Sequence, residues 1–445
     1  MTALLFNQQS HTDMEAKLPW LFLLHIIFPA VQLCEIPGGN FFHIKSLNAE
    51  LLKLTEETSK APNPSIYLAL RLSDAHSLEK ERQYLKRLKD VFKPSTSQSA
   101  VRYQKHPGTG QLALYLLALR ATCYHMETSE DRHLVTQLKL HLDKEKKQIG
   151  PGNTGHPITS YYQYSLGVLA LCVNGKKIDP RVIDKLLLAE QNNKFVHNSK
   201  LSVDTEAVAG LAFVCLREAN PELRRNLGRA VQRVKGKILR AQTPEGAFGN
   251  IYSTPLAVQF LIASGLNPNE PECPKGVAAL LQSLQEGKFQ NALMKSQLLP
   301  VLHGKSYLDA ASKECQAETE SLDISTLSHS NETSKPSDKM INVYLNVERL
   351  SPPQTLYRHR LRVPQGSTLL DVLKDAKKAA NKPFTFKTQD TLSGPMLTEV
   401  MGVEAQEGEH KYWKLYQAPN TVLEQGIAEY VPQNAESILL KFVPW

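Results

Sequence analysis

Residues 202–215 read SVDTEAVAGLAFVC. Ser202, Asp204 and Thr205 suit a helix N-terminus, and they lead into a run of Ala, Val, Leu and Phe. A helix that is apolar all round is buried, so its polar tip must meet a cavity or a neighbour. Gly210, the glycine of the run, predicts a second helix packed close against this one. One such segment is only a capped core helix. The fold is decided by its repetition.

Five further apolar segments of the same kind occur. They are residues 64–72 (PSIYLALRL), 110–123 (GQLALYLLALRATC), 161–173 (YYQYSLGVLALCV), 254–264 (TPLAVQFLIAS) and 290–302 (QNALMKSQLLPVL). Their starts recur at roughly 40–50 residues, the spacing of a helical-hairpin repeat. Charged amphipathic segments lie between them, at 79–92, 131–147, 181–191, 221–242 and 275–285. Buried helices alternating with half-exposed ones describe two concentric rings. The expected fold is mainly α, a six-hairpin α/α barrel; an open solenoid of the same repeats remains the alternative.

In a barrel with parallel inner helices, the inner starts converge on one mouth. Gln111, Thr159, Tyr162, Gln163, Asp204, Thr205, Asn250, Ser253 and Gln290 stand at or just before those starts. Singly each is a cap or a satisfied core group. Together they offer amides, hydroxyls and one carboxylate, which suits a large ligand rich in amides.

The chain has 445 residues, enough for two or three domains, and a net charge of +8. No zinc-finger or RRM-type spacing accompanies that charge, which argues against nucleic acid. Seven of the cations fall in residues 221–242, against the single acid Glu222. That segment reads as a solvated outer face, or as a dock for an acidic uptake receptor.

Residues 18–31 (LPWLFLLHIIFPAV) are too short an apolar run for a comfortable membrane span and follow Lys17. They read as a secretory signal peptide within residues 1–33, with Met1 and Met14 both open as the start. Export without a membrane span follows as the expectation, and Asn331-Glu332-Thr333 is an acceptor sequon consistent with it. Six cysteines then suggest three disulfides, with fifteen pairings open. Cys172 and Cys215 lie at matching places in consecutive inner helices, which predicts that bridge.

Past Cys315 the composition turns to Ser, Thr and Glu, and residues 317–338 read as a linker. From residue 339 the grammar is β: strands at 341–347, 359–363, 384–388, 411–417 and 437–443, and a helix at 368–380. The expected organisation is a barrel at 34–316 and a smaller β-rich α+β domain of β-grasp type at 339–445. Within KYWKLY, patterning gives Trp413 to that domain's own core.

Six-hairpin barrels host enzymes as well as binders. The chain lacks DxDD and DDxxD clusters, GCGEQ, GxSxG, HExxH and a P-loop. Asp204 and Glu245 are the one pair of carboxylates a glycosidase reading would use. Binding is favoured over catalysis.

SVDTEAVAGLAFVCL, GHPITSYYQYSLGVLALC, QTPEGAFGNIYSTPLAVQF and FQNALMKSQLLPVL, with LSGPMLTEVMG and YWKLYQAPNTVLEQGIAEY, resemble one family in order. It is the secreted cobalamin (vitamin B12) carriers, comprising transcobalamin, intrinsic factor and haptocorrin, and the likeness is greatest to transcobalamin. The resemblance implies cobalamin gripped between the two domains as transported ligand, with no catalytic cofactor. It also implies a monomer, secreted and taken up with its cargo by a cell-surface receptor. It carries the barrel residues above over as ligand contacts and adds Leu392, Ser393, Trp413, Lys414 and Leu415. It implies disulfides Cys34–Cys273 and Cys123–Cys315 beside Cys172–Cys215. In transcobalamins a histidine precedes SVDT and ligates cobalt; here Leu201 stands there, and His197 is the substitute within reach. A scavenger of corrinoid analogues, and a barrel hydrolase or lyase acting through Asp204, are the alternatives.

Overall fold

The computed structural model describes residues 34, 38–92, 107–122, 128–150, 155–197, 200–265, 271–312, 319–322, 337–350, 352–379, 383–406 and 411–444. The signal segment 1–33, Cys123, Cys315 and Asn331 lie outside the described residues.

The helices alternate outer and inner. The pairs are α1 (Phe41–Leu54) with α2 (Pro64–Arg71), α3 (Leu78–Phe92) with α4 (Thr109–Arg120), and α5 (Ser129–Gln148) with α6 (Tyr161–Val173). They continue with α7 (Pro180–Gln191) and α8 (Val203–Ala219), α9 (Arg224–Arg240) and α10 (Thr254–Ser264), and α11 (Glu272–Gln285) and α12 (Ala292–Val301). A single turn, α13 (Asp309–Ser312), then packs on α4. Each inner helix packs on the next, and α12 packs back on α2, so the ring closes. A solenoid would leave those two apart.

Local chemistry sets the helix ends. Ser202 caps α8 by accepting from the Thr205 amide at 3.3 Å, and Asn291 caps α12 by accepting from Met294 at 2.8 Å. Outer helix α9 buries Leu227, Ala230, Val231, Val234 and Ile238 along one stripe and turns Arg224, Arg225, Arg229 and Arg240 outward. Phe260 of α10 lies on Gly210 of α8, where a Cβ would meet its ring at 2.5 Å. Cys172 is bonded to Cys215 and Cys34 to Cys273.

Two elements depart from the sequence reading. Helix α1 is an outer helix that periodicity did not single out, because its first turn exposes Phe41 and Phe42. The stretch read as linker is partly bound: Leu322 is only 4% exposed within the barrel core. Next to it Glu320 accepts at 2.7 Å from both the Ser77 hydroxyl and the Leu78 amide, at the start of α3.

A second hydrophobic core is built by β3 (Ser337–Leu350), β4 (Pro353–Gln365), α14 (Leu369–Lys378) and the strands that follow. A short hairpin of the barrel, β1 (Val196–His197) with β2 (Lys200–Leu201), precedes them. The later strands are β5 (Phe386–Thr391), β6 (Gly394–Val400), β7 (Val403–Glu404), β8 (Lys411–Gln417), β9 (Thr421–Val422) and β10 (Glu436–Pro444). The main sheet runs β4-β3-β10-β8-β9, with β10 parallel to β3 at its centre. A last strand parallel to the first is the β-grasp arrangement. Strand β6 was not anticipated, since Gly394 and Pro395 weaken its pattern.

Candidate functional site

The starts of α6, α8, α10 and α12 surround a cavity of about 730 Å³, within the size range of ligand pockets. Of the residues anticipated from sequence, Thr159, Tyr162, Asp204, Thr205, Asn250, Ser253, His197 and Ser393 line it. Their hydrogen bonds hold them in place. Ser253 donates to Asp204 Oδ2 at 2.8 Å, and the Asn250 side chain accepts from the amides of Tyr252 and Ser253. Thr159 donates through its hydroxyl (2.7 Å) and its amide (3.0 Å) to Glu145 of α5. Gln297 donates to the Tyr162 hydroxyl at 3.3 Å.

Burial dominates the electrostatics of the lining. Burial pushes the Asp204 carboxyl up from its ordinary value, against the Ser253 hydrogen bond that stabilises its charge. Burial likewise holds Tyr162 protonated, and the nearby Asp204 charge adds to that. Desolvation lowers the His197 imidazole, and the neighbouring Lys414 ammonium lowers it further. Among the described residues no group of three His, Cys, Asp or Glu could hold a metal ion.

Other anticipated residues lie outside the cavity lining. Gln111 is exposed and outside the cavity lining. Gln163 turns to the neighbouring helix, where its Oε1 accepts from the Gly110 amide at 3.1 Å. Gln290 is exposed and donates to the Gly287 carbonyl; its neighbour Asn291 lines the cavity instead. Glu245 is exposed in its own turn, so it does not oppose Asp204 as a second carboxylate. Trp413 is 5% exposed in the small core, donating to the Val403 carbonyl, and Leu415 packs beside it. Strand alternation puts Lys414 on the opposite face.

Several described residues of the small domain reach the barrel. Leu392, in the β5–β6 turn, packs on the barrel core while its carbonyl accepts from Asn63 at 3.4 Å. Glu424 and Pro444 join Ser393 in the cavity lining. Glu424 accepts a side-chain hydrogen bond from Asn250, and Glu429 one from Asn291. Sequence reasoning missed Tyr252, Asn291, Gln297 and Glu424. A glutamine inside an apolar helix was the available sign for Gln297; nothing local marked Glu424.

Residues 17–336 match the family described as eukaryotic cobalamin-binding protein. This chain belongs to that family. Residues 366–443 match a domain of unknown function, DUF4430. The chain is 45% identical to transcobalamin-2 of Homo sapiens over 436 residues, covering 96% of this chain and 99% of that one. It is 44% identical to transcobalamin-2 of Bos taurus, over 96% and 98% of the two chains. Transcobalamin-1 of Homo sapiens is more distant, at 29% over 98% and 99%. The crystal structure of haptocorrin in complex with Cbi matches with a TM-score of 0.74 at 24% identity, over 93% of this chain and 100% of that chain. That likeness establishes the fold, an α-rich barrel followed by a smaller β-rich domain.

Proposed function

We propose that this protein is a secreted, non-enzymatic carrier that encloses cobalamin between its barrel (34–316) and its capping domain (339–445), joined by 317–338. The observation that carries the reading is the cavity: four inner-helix starts supply hydroxyls, amides and one carboxylate, and the second domain supplies Ser393, Glu424 and Pro444. A corrin is a broad apolar disc fringed with neutral amides. It calls for amide and hydroxyl partners with flat apolar contact, and Tyr162, Tyr252, Leu293 and Met294 offer the latter. Burial between domains strengthens those hydrogen bonds and slows escape. Family membership supports the same ligand.

Thr159, Tyr162, Asp204, Thr205, Asn250, Ser253 and Ser393 are the proposed direct contacts. His197 is the proposed cobalt ligand, because it lines the cavity from the β1–β2 hairpin while Leu201 has no donor. Export through residues 1–33, glycosylation at Asn331, a monomeric state and delivery to a cell-surface receptor complete the proposal. Among the described residues no helix is long and apolar enough to cross a membrane.

Titrating the secreted protein with aquocobalamin, beside His197→Ala, tests this by visible absorbance. One-to-one tight binding with a cobalt ligand-field shift lost in the variant supports both parts. The same spectrum in both proteins keeps the carrier and rejects the ligand. No binding rejects the carrier; turnover of a sugar or polyamide lost in Asp204→Asn would put a hydrolase in its place.

A further inference from the structure

Strand β4 is an edge of the five-stranded sheet, and it carries Arg358, Arg360 and Arg362 at alternate positions. All three are exposed, while Tyr357, Leu361 and Val363 between and beside them are buried. The three side chains therefore leave the same sheet face from Cα positions about 7 Å apart, and the Arg360 guanidinium reaches across to donate to Asn342 Oδ1 at 3.0 and 2.9 Å. The register with β3 places Asn342 opposite Arg362, Tyr344 opposite Arg360 and Asn346 opposite Arg358. Tyr344 is 40% exposed, so its ring lies open between two amides beside the arginine row. On the next strand Lys441 extends the same face and sits over the Tyr416 ring. Among the described residues, the carboxylate that β3, β4 and β10 contribute to this face is Glu348, at the far end of the row and in register with Lys441.

We propose that this sheet face binds a sulfated polysaccharide. Guanidinium forks match sulfate oxygens in pairs, and a regular row suits a linear polymer whose anions repeat. Tyr344 supplies a flat platform for a sugar ring, while Asn342 accepts from Arg360 and Asn346 donates to the Ser437 hydroxyl, which holds the row in place. Arg358, Arg360, Arg362 and Tyr344, at the edge of this face away from Lys414, lie outside the cavity lining, so the row can work with cargo bound or absent. Charged edge strands also serve to block edge-to-edge pairing, and a row with only that duty would show no preference for sulfated sugar.

The test uses full-length protein on immobilised heparin and on a sulfopropyl exchanger of matched charge density. The double variant Arg358→Gln/Arg362→Gln is compared with Arg225→Gln/Arg229→Gln on α9. The proposal expects heparin to retain the wild type to higher salt than the exchanger does. It also expects heparin affinity at physiological salt to fall about tenfold or more in the β4 variant, and less than about twofold in the α9 variant. Equal retention on both matrices, or equal losses in both variants, would overturn it. Polyglutamate competing as well as heparin would instead assign the face to an acidic protein partner. Unchanged circular dichroism and cobalamin titration in the β4 variant show that any loss is local.

Discussion

Ser253, at the start of α10, donates a 2.8 Å hydrogen bond to the carboxylate of Asp204, in the first turn of α8. The bond ties two neighbouring inner-helix starts together and fixes the one acidic group anticipated at the mouth. Burial raises the Asp204 carboxyl above its unfolded value, so the folded state holds its proton more firmly. This group's contribution to stability is complete at low pH and is lost as pH rises through the folded value. Asp204→Asn removes that dependence while leaving an oxygen for Ser253. It is expected to be neutral or stabilising by about 1 kcal/mol at pH 7 in thermal unfolding. Cobalamin affinity should fall at least about tenfold, because a charge-assisted acceptor for corrin amides is gone. Unimpaired binding would remove Asp204 from the proposed contacts.

Gly210 and Phe260 form a second such pair. A methyl at Gly210 would meet the ring at 2.5 Å and the Val234 side chain at 3.0 Å, so the inner helices would have to separate. Gly210→Ala is expected to cost about 1–3 kcal/mol in urea unfolding despite alanine's better helix propensity. The double variant Gly210→Ala/Phe260→Leu should recover part of that loss. If the single change stabilises the protein, the close packing is not under constraint.

The basic helix α9 divides into two groups. Lys237 bonds both Glu190 (3.0 Å) and Glu206 (2.9 Å), and Arg233 bonds Glu190 at 2.9 Å; both carboxylates are 0% exposed. These cations tie outer helices α9 and α7 to each other and to inner helix α8, whereas Arg225 and Arg229 are exposed. Lys237→Met leaves two buried acids without their shared partner and should destabilise the barrel by about 3–5 kcal/mol near neutral pH. Burial pushes Glu206 up to about 7, so its contribution weakens as pH rises through neutrality. The Lys237→Met defect should accordingly be smaller at pH 5 than at pH 8, as chemical denaturation at the two values would reveal. A receptor-docking test belongs on Arg225 and Arg229, since reversing Arg233 would disturb folding first.

The barrel was legible because its information is local: the inner helices are apolar all round, and four of the six starts carry a side-chain cap, as Ser202 and Asn291 do. That rule picks out Thr159, Asp204, Asn250 and Ser253, which line the cavity. It also picks out Gln111 and Gln163, which lie outside the lining, because a polar residue at a helix start can equally face solvent or serve the neighbouring helix. Gln163 does the latter at the Gly110 amide. The small domain's contribution was the least legible part. Glu424 reaches the cavity from a loop whose position depends on how two cores meet, and no spacing in the chain encodes that. Leu322 shows the same limit from the other side, a single apolar residue in a polar stretch that tertiary packing recruits to the core.

Glu429 gives the domain interface a pH dependence of definite sign. It is buried, accepts from Asn291 of the barrel, and has Oε2 without a partner among the described residues. Burial raises its carboxyl above the ordinary value, and Tyr252 is the titratable group beside it on the barrel side. When the domains part, the carboxyl regains water and its ordinary value, so the closed form binds the extra proton. Closure therefore strengthens as pH falls from the raised value toward 4.5, and this group retains cargo on acidification. Cobalamin dissociation, followed in a His197→Ala background to exclude imidazole titration, should slow as pH is lowered through the raised value toward the ordinary carboxyl range. Each pH unit of upward shift is worth up to about tenfold. Glu429→Gln mimics the protonated state, and it should slow dissociation at pH 7 and flatten the profile. Dissociation that quickens on acidification in both proteins would show that another group governs opening.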